Sequence, residues 1–164
     1  MDALEAIARR YSERSYTSKP VPKDVLEKIV DAGRRAPTAR NVQPWEFVVV
    51  TDAAARKQIA GLAENGKFIE QAPACVAVFC KDTKYYLEDG CNATTALMIA
   101  AAALGVQSCW VAGDKKPYGG AVAERLGLPD GYKLVSLVPL GYAAAAGRPP
   151  AKRPLDEVIH WEKF

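Results

Sequence analysis

The apolar, alanine-rich run from Ala93 to Val106 constrains the fold more than any other feature of this 164-residue sequence. The run is too short to cross a bilayer, which takes about 20 apolar residues in a helix. Its composition, with hydroxyls at Thr94 and Thr95, is typical of a helix buried inside a protein. We expect Asp89 to cap this helix and Gly105 to end it. We therefore predict a buried helix and no membrane-spanning segment.

Short runs rich in β-branched residues alternate with helical patterns along the rest of the chain. Asp2 lies three residues before Glu5, the spacing of a capping box at the start of a first helix. The polar stretch from Lys81 to Glu88 is expected to form a loop. No internal repeat and no second-domain boundary are visible. The pattern predicts one α+β domain over residues 1–164, with strands at Glu46 to Thr51, Ala74 to Cys80, Val106 to Ala112 and Leu134 to Leu140.

The composition narrows the class of protein. Charged residues make up 25% of the sequence, hydrophobic residues 49%, and the formal net charge is +3. This balance is typical of a soluble globular protein and argues against a nucleic-acid binder or a disordered chain. The N-terminus leads directly into a helical pattern, without the basic stretch and apolar run of a signal peptide. We therefore expect a cytoplasmic protein that binds neither nucleic acid nor a membrane.

The common catalytic motifs are missing from the sequence. It contains no GxGxxG, no GxxxxGK[ST] and no GxSxG. The single histidine, His160, lies close to the C-terminus, where a Ser-His-Asp triad or a histidine metal site is hard to assemble. Cys75, Cys80, Cys91 and Cys109 lack metal-ligand spacing and are expected to be buried free thiols. We expect no metal and no catalytic side chain, so a bound cofactor is the economical source of chemistry.

Three polar segments are candidates for holding such a cofactor. In the segment Arg10 to Arg14, the hydroxyl of Ser12 lies between two guanidinium groups, which suits a phosphate. Lys152-Arg153 is a second basic pair. Taken alone, each of these two basic segments is more typical of solvated protein surface. The proline-bounded loop from Ala36 to Trp45 leads into a predicted strand. Turn chemistry explains that loop as well as ligand contact does.

Taken together, these segments resemble the signature of the nitroreductase family in order and spacing. The resemblance rests on Arg10-x-Ser12-x-Arg14, followed by Ala36-Pro37-Thr38-Ala39-x-Asn41-x-Gln43-Pro44-Trp45. It continues in Leu104 to Trp110, Leu140 to Tyr142 and Arg153 to Val158, and so covers essentially the whole chain. The resemblance implies an α+β fold with a central sheet flanked by helices. It also implies an intertwined homodimer with two FMN sites at the subunit interface.

The resemblance further implies how the two chains divide each FMN site. The residues implied to hold the phosphate and the ribityl chain are Arg10, Ser12, Arg14, Lys152 and Arg153. The residues implied to reach the flavin from the partner subunit are Pro37, Thr38, Ala39 and Asn41. The residues implied to lie near the isoalloxazine ring are Asn65, Ala112 and Gly113.

The activity implied by the resemblance is that of an NAD(P)H-dependent oxidoreductase. Such an enzyme passes hydride by way of FMN to a nitroaromatic, a quinone or a similar small electrophile in a ping-pong mechanism. Protons can come from water, so no acidic or basic side chain is required. Two alternatives stay open: an FMN-binding or redox-sensing protein with little turnover, and reductive dehalogenation or flavin chemistry on the same scaffold.

The sequence also departs from the family pattern. Tyr11 stands where many members carry a second arginine. The chain is also shorter than the large nitroreductases and has no room for their extended helical excursion. Tyr85 and Tyr86 could form an aromatic lid in that region, although tyrosines in a surface loop more often pack against the surface.

Overall fold

The computed structural model describes residues 1–164 and confirms the expected α+β class. The strands are β1 (Trp45–Val50), β2 (Ala74–Lys81), β3 (Gln107–Ser108), β4 (Val111–Ala112) and β5 (Tyr132–Gly141). The helices are α1 (Ala3–Arg9), α2 (Lys23–Gly33), α3 (Ala53–Leu62), α4 (Tyr86–Ala103) and α5 (Gly119–Arg125). Short 3₁₀ turns lie at Ala39–Asn41, Lys67–Gln71 and Leu155–Glu157.

The sheet is antiparallel throughout, which the sequence did not reveal. Its strand order is β1-β2-β5-β3, and β4 also pairs with β5. The two central strands are buried on both faces over nearly their whole length, which explains why they are continuous apolar runs rather than alternating ones. The long pairing of β2 with β5 is interrupted by a register shift between Val78 and Phe79.

Helices cover both faces of this sheet. Alternate residues of β2 point to opposite sides, so Val76 and Val78 pack with α2 and α4, while Cys75 and Phe79 pack with α3 and α5. The fold therefore has a helix layer on each side of the sheet. The predicted buried helix is α4, in which Ala93, Leu97 and Ala101 are completely inaccessible to solvent. None of the helices combines the length and the apolar character needed to cross a membrane.

Three local expectations were wrong. Helix α4 begins at Tyr86, so the predicted loop to Glu88 is shorter, and Asp89 lies inside the first turn rather than capping it. Its carboxylate is buried against the loop that precedes β1 instead of bonding to its own helix.

The predicted strand from Val106 to Ala112 is two short strands in the structure. Residues 107–108 (β3) and 111–112 (β4) both pair with β5, and Cys109-Trp110 between them belong to neither strand.

Close packing of α4 on the sheet depends on Gly90. Its Cα faces β5, where a Cβ atom would lie 2.6 Å from Val135 Cγ2 and 3.0 Å from Cys80 Sγ. Four residues further along α4, the buried Thr94 hydroxyl bonds to the Gly90 carbonyl at 2.7 Å and to Ser136 Oγ at 2.9 Å. The helix and β5 are therefore joined by close contact and by a buried hydroxyl pair.

We expect Gly90→Ala to destabilise the fold, because the added methyl would overlap the Val135 side chain. Overpacking of this kind costs about 1–3 kcal/mol in unfolding free energy, which urea denaturation measures. Gly61→Ala in α3 is the matched control, since a Cβ there meets nothing within 4 Å. That substitution should stabilise the helix by about 0.5–1 kcal/mol. Equal transition midpoints in the two variants would contradict the close approach of α4 to β5.

Candidate functional site

The segment from Arg10 to Arg14 is anchored at the edge of the sheet. Arg10 is the C-cap residue of α1, and its backbone N–H donates to the Ala6 carbonyl at 3.1 Å. The chain then turns extended, and Ser12 forms an isolated parallel bridge with Ser108 of β3. The Glu13 N–H donates to the Ser108 carbonyl at 3.0 Å. The backbone of the segment is therefore held in place at the edge of the sheet.

Two guanidinium groups in this segment have no carboxylate partner. Arg10 is half-buried and makes no ion pair, and Arg14 is exposed and makes none either. The Arg14 guanidinium donates to the Ser12 carbonyl at 3.2 Å and lies 5.9 Å from the centroid of the Phe68 ring. Unpaired arginines next to a hydroxyl form a donor set suited to a phosphate.

Glu13 lies between these arginines but is engaged elsewhere. One carboxylate oxygen accepts from the backbone N–H groups of Arg14 and Ser15, both at 2.8 Å. The other accepts from the Tyr11 hydroxyl at 2.9 Å. The carboxylate therefore fixes the shape of the segment rather than pairing with either guanidinium.

A cavity of about 370 Å³ opens beside Arg10 and Ser12, against α4. It is lined by Ile7, Arg10, Ser12, Thr95, Met98, Ile99 and Trp110. Cys109 lies next to it, and burial raises the pKa of its thiol, although Arg14, Ser12 and Arg10 act to lower that pKa. Because all three residues lower the pKa of the same thiol, they lie near Cys109.

Three of the four cysteines are buried free thiols, as predicted, and the fourth is more exposed than predicted. Cys75, Cys80 and Cys109 are buried free thiols, and Cys91 is half-buried and also free. Burial raises the pKa of Cys75 and of Cys80 to about 12. These two thiols stay protonated at neutral pH, so they are poor nucleophiles.

The residues predicted near the flavin ring lie in the turn after α3 and on β4 and the residue that follows it. Phe68, which contacts Arg14, belongs to the 3₁₀ turn that follows Asn65, and Asn65 is exposed. The neighbouring Gly66 packs closely on Val111 of β4, where an added Cβ would lie 3.2 Å from Val111 Cγ1. Ala112, the next residue of β4, is exposed. The turn that follows Asn65 therefore lies between Arg14 and β4.

Gly113 differs from its neighbour Ala112. It is buried, and its backbone N–H donates to the Val135 carbonyl at 3.0 Å. Its Cα faces the Leu134 side chain, where a Cβ would lie 2.5 Å from Leu134 Cγ. The amide of Gly113 is thus already paired within the fold, whereas Ala112 is exposed and its carbonyl accepts from the Tyr118 hydroxyl.

The loop before β1 is held by the buried carboxylate of Asp89. This carboxylate accepts from the Thr38 hydroxyl at 2.8 Å and from the Ala39 N–H at 3.0 Å, and Asp89 is only 3% exposed. Asn92, one turn further along α4, donates to the Pro37 carbonyl at 3.3 Å. Sequence patterns missed Asp89 in this role, although a lone acid beside an apolar helix was a signal for it.

This loop also has an unusual backbone. Arg40, Asn41 and Gln43 adopt φ values of 54°, 56° and 52°, in the left-handed region that non-glycine residues seldom occupy. Each such residue costs about 1–3 kcal/mol, and strain of this kind concentrates where a loop contacts a ligand. The Asp89 contacts are what stabilise the strained conformation.

A single chain does not bring all the predicted site residues together. The loop at Pro37, Thr38, Ala39 and Asn41 contacts α4 at Asp89, whereas the arginine segment faces α4 at Met98. These two helix positions are nine residues apart, or about 14 Å along the axis. Lys152 and Arg153 lie in an exposed tail, where Arg153 bonds only to Glu157. The structure thus brings Arg10 and Ser12 to one cavity and Arg14 beside Phe68 near Asn65, and leaves the loop at Thr38 and the tail at Arg153 apart from them.

The site chemistry fits FMN. Two unpaired guanidinium groups and a hydroxyl match a phosphate monoester, which needs charge-assisted donors. Phe68, Ala112 and the apolar lining of the neighbouring cavity can contact a flat aromatic ring.

Comparison with known proteins identifies the family. The family model described as the nitroreductase family matches residues 7–95 and 63–142. A protein named NADH dehydrogenase from Thermus thermophilus is 30% identical over 98% of this chain and 96% of its own length. The chain therefore belongs to the nitroreductase family, as its motifs predicted.

Solved structures agree with this assignment. A candidate NADH dehydrogenase/NAD(P)H nitroreductase from Bacteroides thetaiotaomicron superposes with a TM-score of 0.94 at 29% identity, covering 99% of this chain and 98% of that one. An FMN-dependent nitroreductase from Clostridium difficile has the same fold, with a TM-score of 0.91 at 24% identity over 98% and 99% of the two chains. The expectation of a nitroreductase-like sheet flanked by helices is confirmed.

We expect Asp89→Ala to release the loop at residues 37–43. The substitution removes two hydrogen bonds to a charged, buried acceptor, which should lower the unfolding free energy by about 2–3 kcal/mol. The exposed Arg40 should then be cut faster by trypsin. Glu88→Ala is the control, because Glu88 is an exposed acid in the same helical turn with no hydrogen bond to the loop. Equal cleavage rates after Arg40 in both variants would contradict the role assigned to Asp89.

Proposed function

We propose that this protein is an FMN-dependent oxidoreductase that transfers electrons from NAD(P)H to a nitroaromatic, a quinone or a similar small electrophile. The observation that carries the proposal is the pair of unpaired guanidinium groups, Arg10 and Arg14, beside Ser12. The proposal places the phosphate at these groups and the flavin ring toward Asn65 and Ala112.

Each part of the proposed site has a role in this proposal. Arg10, Ser12 and Arg14 bind the phosphate and the ribityl chain, and Arg153 with Lys152 closes on the phosphate from the tail. Arginine suits this task because its planar fork donates two parallel hydrogen bonds to phosphate oxygens. Asn65 and the backbone at Ala112 orient the ring.

When bound, FMN would supply the hydride chemistry that links the nicotinamide to the second substrate in a ping-pong sequence. The chain itself supplies no obvious acid or base. His160 is exposed in the tail, and burial keeps the thiols of Cys75 and Cys80 protonated. The residues therefore bind and orient, and water delivers the protons.

The proposed site requires two copies of the chain. Asn92 and Thr95 are exposed on one face of α4, and Ile99 on the same face is only half-buried. If two α4 helices pair antiparallel along this face, the loop at Thr38 on one chain approaches the arginine segment at Ser12 on the other. This arrangement supports a homodimer in which both chains contribute to each FMN site.

The C-terminal tail supports the same assembly. Residues 144–164 are all exposed, and Leu155 and Trp161 expose 71% and 74% of their surface. The tail also exposes Val158, Ile159 and Phe164. A group of exposed apolar side chains of this size is unusual for a monomer and marks a surface that another protein covers. A second copy of this chain is the partner that the proposal requires.

We expect Arg10→Ala and Arg153→Ala each to weaken FMN binding by about 10- to 100-fold, because each removes a charge-assisted phosphate contact of about 1.5–3 kcal/mol. Fluorescence titration of the apoprotein with FMN measures the change. Arg9→Ala and Lys163→Ala are the controls, since Arg9 pairs with Glu5 on the surface of α1 and Lys163 lies near the end of the tail. Unaltered FMN affinity in both test variants would remove the phosphate assignment.

Anaerobic spectroscopy tests the activity itself. After FMN addition and desalting, we expect the protein to keep a flavin absorption spectrum that bleaches on mixing with NADPH or NADH. Flavin that is retained but stays oxidised would instead favour the binding or sensing function. Loss of all flavin on desalting, at protein concentrations where the fold is intact by circular dichroism, would contradict FMN binding.

A further inference from the structure

The C-terminal tail leaves the body of the protein beside the phosphate-binding segment. Residues 142–144 run antiparallel to residues 15–17, through backbone hydrogen bonds of 2.8 and 2.9 Å and a bridge between Tyr16 and Ala143. Three residues later, the chain reaches Gly147, where it meets Tyr11. The start of the tail and the segment from Arg10 to Arg14 are therefore neighbours.

The contact between Tyr11 and Gly147 is unusually close. A Cβ atom on Gly147 would lie 2.5 Å from Cε2, Cζ and Oη of the Tyr11 ring, so only glycine allows the ring to take this place. The ring is fixed at its far end as well, because its hydroxyl donates to Glu13 at 2.9 Å. The same carboxylate accepts from the backbone N–H of Arg14, so one network joins the tail to the phosphate segment.

No later contact ties the tail to the body of the protein by hydrogen bonds. Every hydrogen bond made by residues 148–164 stays within that segment. Arg153 lies six residues beyond Gly147, a separation that spans at most about 20 Å when fully extended. The position of Gly147 therefore limits where Arg153 can reach.

We propose that Tyr11 is a positioning residue for FMN: by holding Gly147 against Glu13, it sets the origin of the tail so that Arg153 reaches the phosphate bound at Arg10, Ser12 and Arg14. This inference rests on the proposed function. It gives Tyr11, which stands where many family members have arginine, a role that requires no contact with FMN. It also explains why the close partner of the Tyr11 ring is a glycine.

A double-mutant cycle on FMN affinity tests the proposal. The variants are Gly147→Ala, which displaces the ring, and Tyr11→Ala, which removes it, each made alone and together with Arg153→Ala. We expect each to weaken FMN binding about tenfold in the native background, a change that corresponds to about 1.4 kcal/mol. In the Arg153→Ala background the same substitutions should have little further effect, because the residue they position is gone. Gly120→Ala is the control, since a Cβ there meets nothing within 4 Å.

Tyr11→Phe separates the two ends of the contact. It keeps the ring on Gly147 but removes the hydrogen bond to Glu13, so we expect a loss of FMN affinity smaller than that of Tyr11→Ala. Circular dichroism and thermal melting of each apoprotein show whether it is folded. If Gly147→Ala fails to fold, the Tyr11→Ala pair completes the cycle.

The outcomes are distinct. Equal losses in both backgrounds would show that Tyr11 acts independently of Arg153 and would overturn the proposal, as would unchanged affinity in both Gly147→Ala and Tyr11→Ala. An Arg153→Ala variant that binds FMN as tightly as the native protein would also overturn it, while leaving FMN binding itself established. Absence of FMN binding by the native protein would instead contradict the proposed function.

Discussion

The packing of α4 on the sheet, beside α2, is the constraint on which the rest of the structure depends. Its close approach to β5 at Gly90 fixes the height and rotation of the helix, and two parts of the candidate site are then attached to it. Asp89, at one end, holds the strained loop at residues 37–43. Met98, toward the other end, lines the cavity beside Arg10 and Ser12. A packing interaction in the core thus sets the spacing of groups on the surface.

Local electrostatics explain why the arginine segment is open to an anion. A carboxylate placed between two arginines would ordinarily pair with one of them, but the Glu13 carboxylate accepts from two backbone N–H groups and the Tyr11 hydroxyl instead. These hydrogen bonds fix the shape of the backbone, and the guanidinium groups of Arg10 and Arg14 are left without a carboxylate partner. Nearby, burial keeps the pKa of the Cys109 thiol above its usual range, so no competing thiolate forms there.

Features that depend on neighbouring residues could be predicted from the sequence, whereas features that depend on contacts between distant residues could not. The first helix begins as expected at Asp2, whose carboxylate caps it by accepting from the Glu5 N–H at 2.8 Å, because capping is a local interaction. Asp89 was expected to cap α4 by the same rule and does not, because its partners, Thr38 and Ala39, are about fifty residues away in the chain. The division between β3 and β4 was likewise missed, since strand pairing is a long-range property.

By itself, the sequence determined the class of the fold, the family through its ordered motifs, the buried helix and the short apolar runs of the central strands. These depend on local composition and periodicity, which a single chain displays directly. Only the tertiary structure decided the strand order, the release of Arg10 and Arg14 from Glu13, and the contact between Tyr11 and Gly147. The tertiary structure also shows that, within one chain, the loop at Thr38 and the arginine segment lie apart along α4. Each of these depends on which distant residues meet in space, and no local sequence pattern shows that.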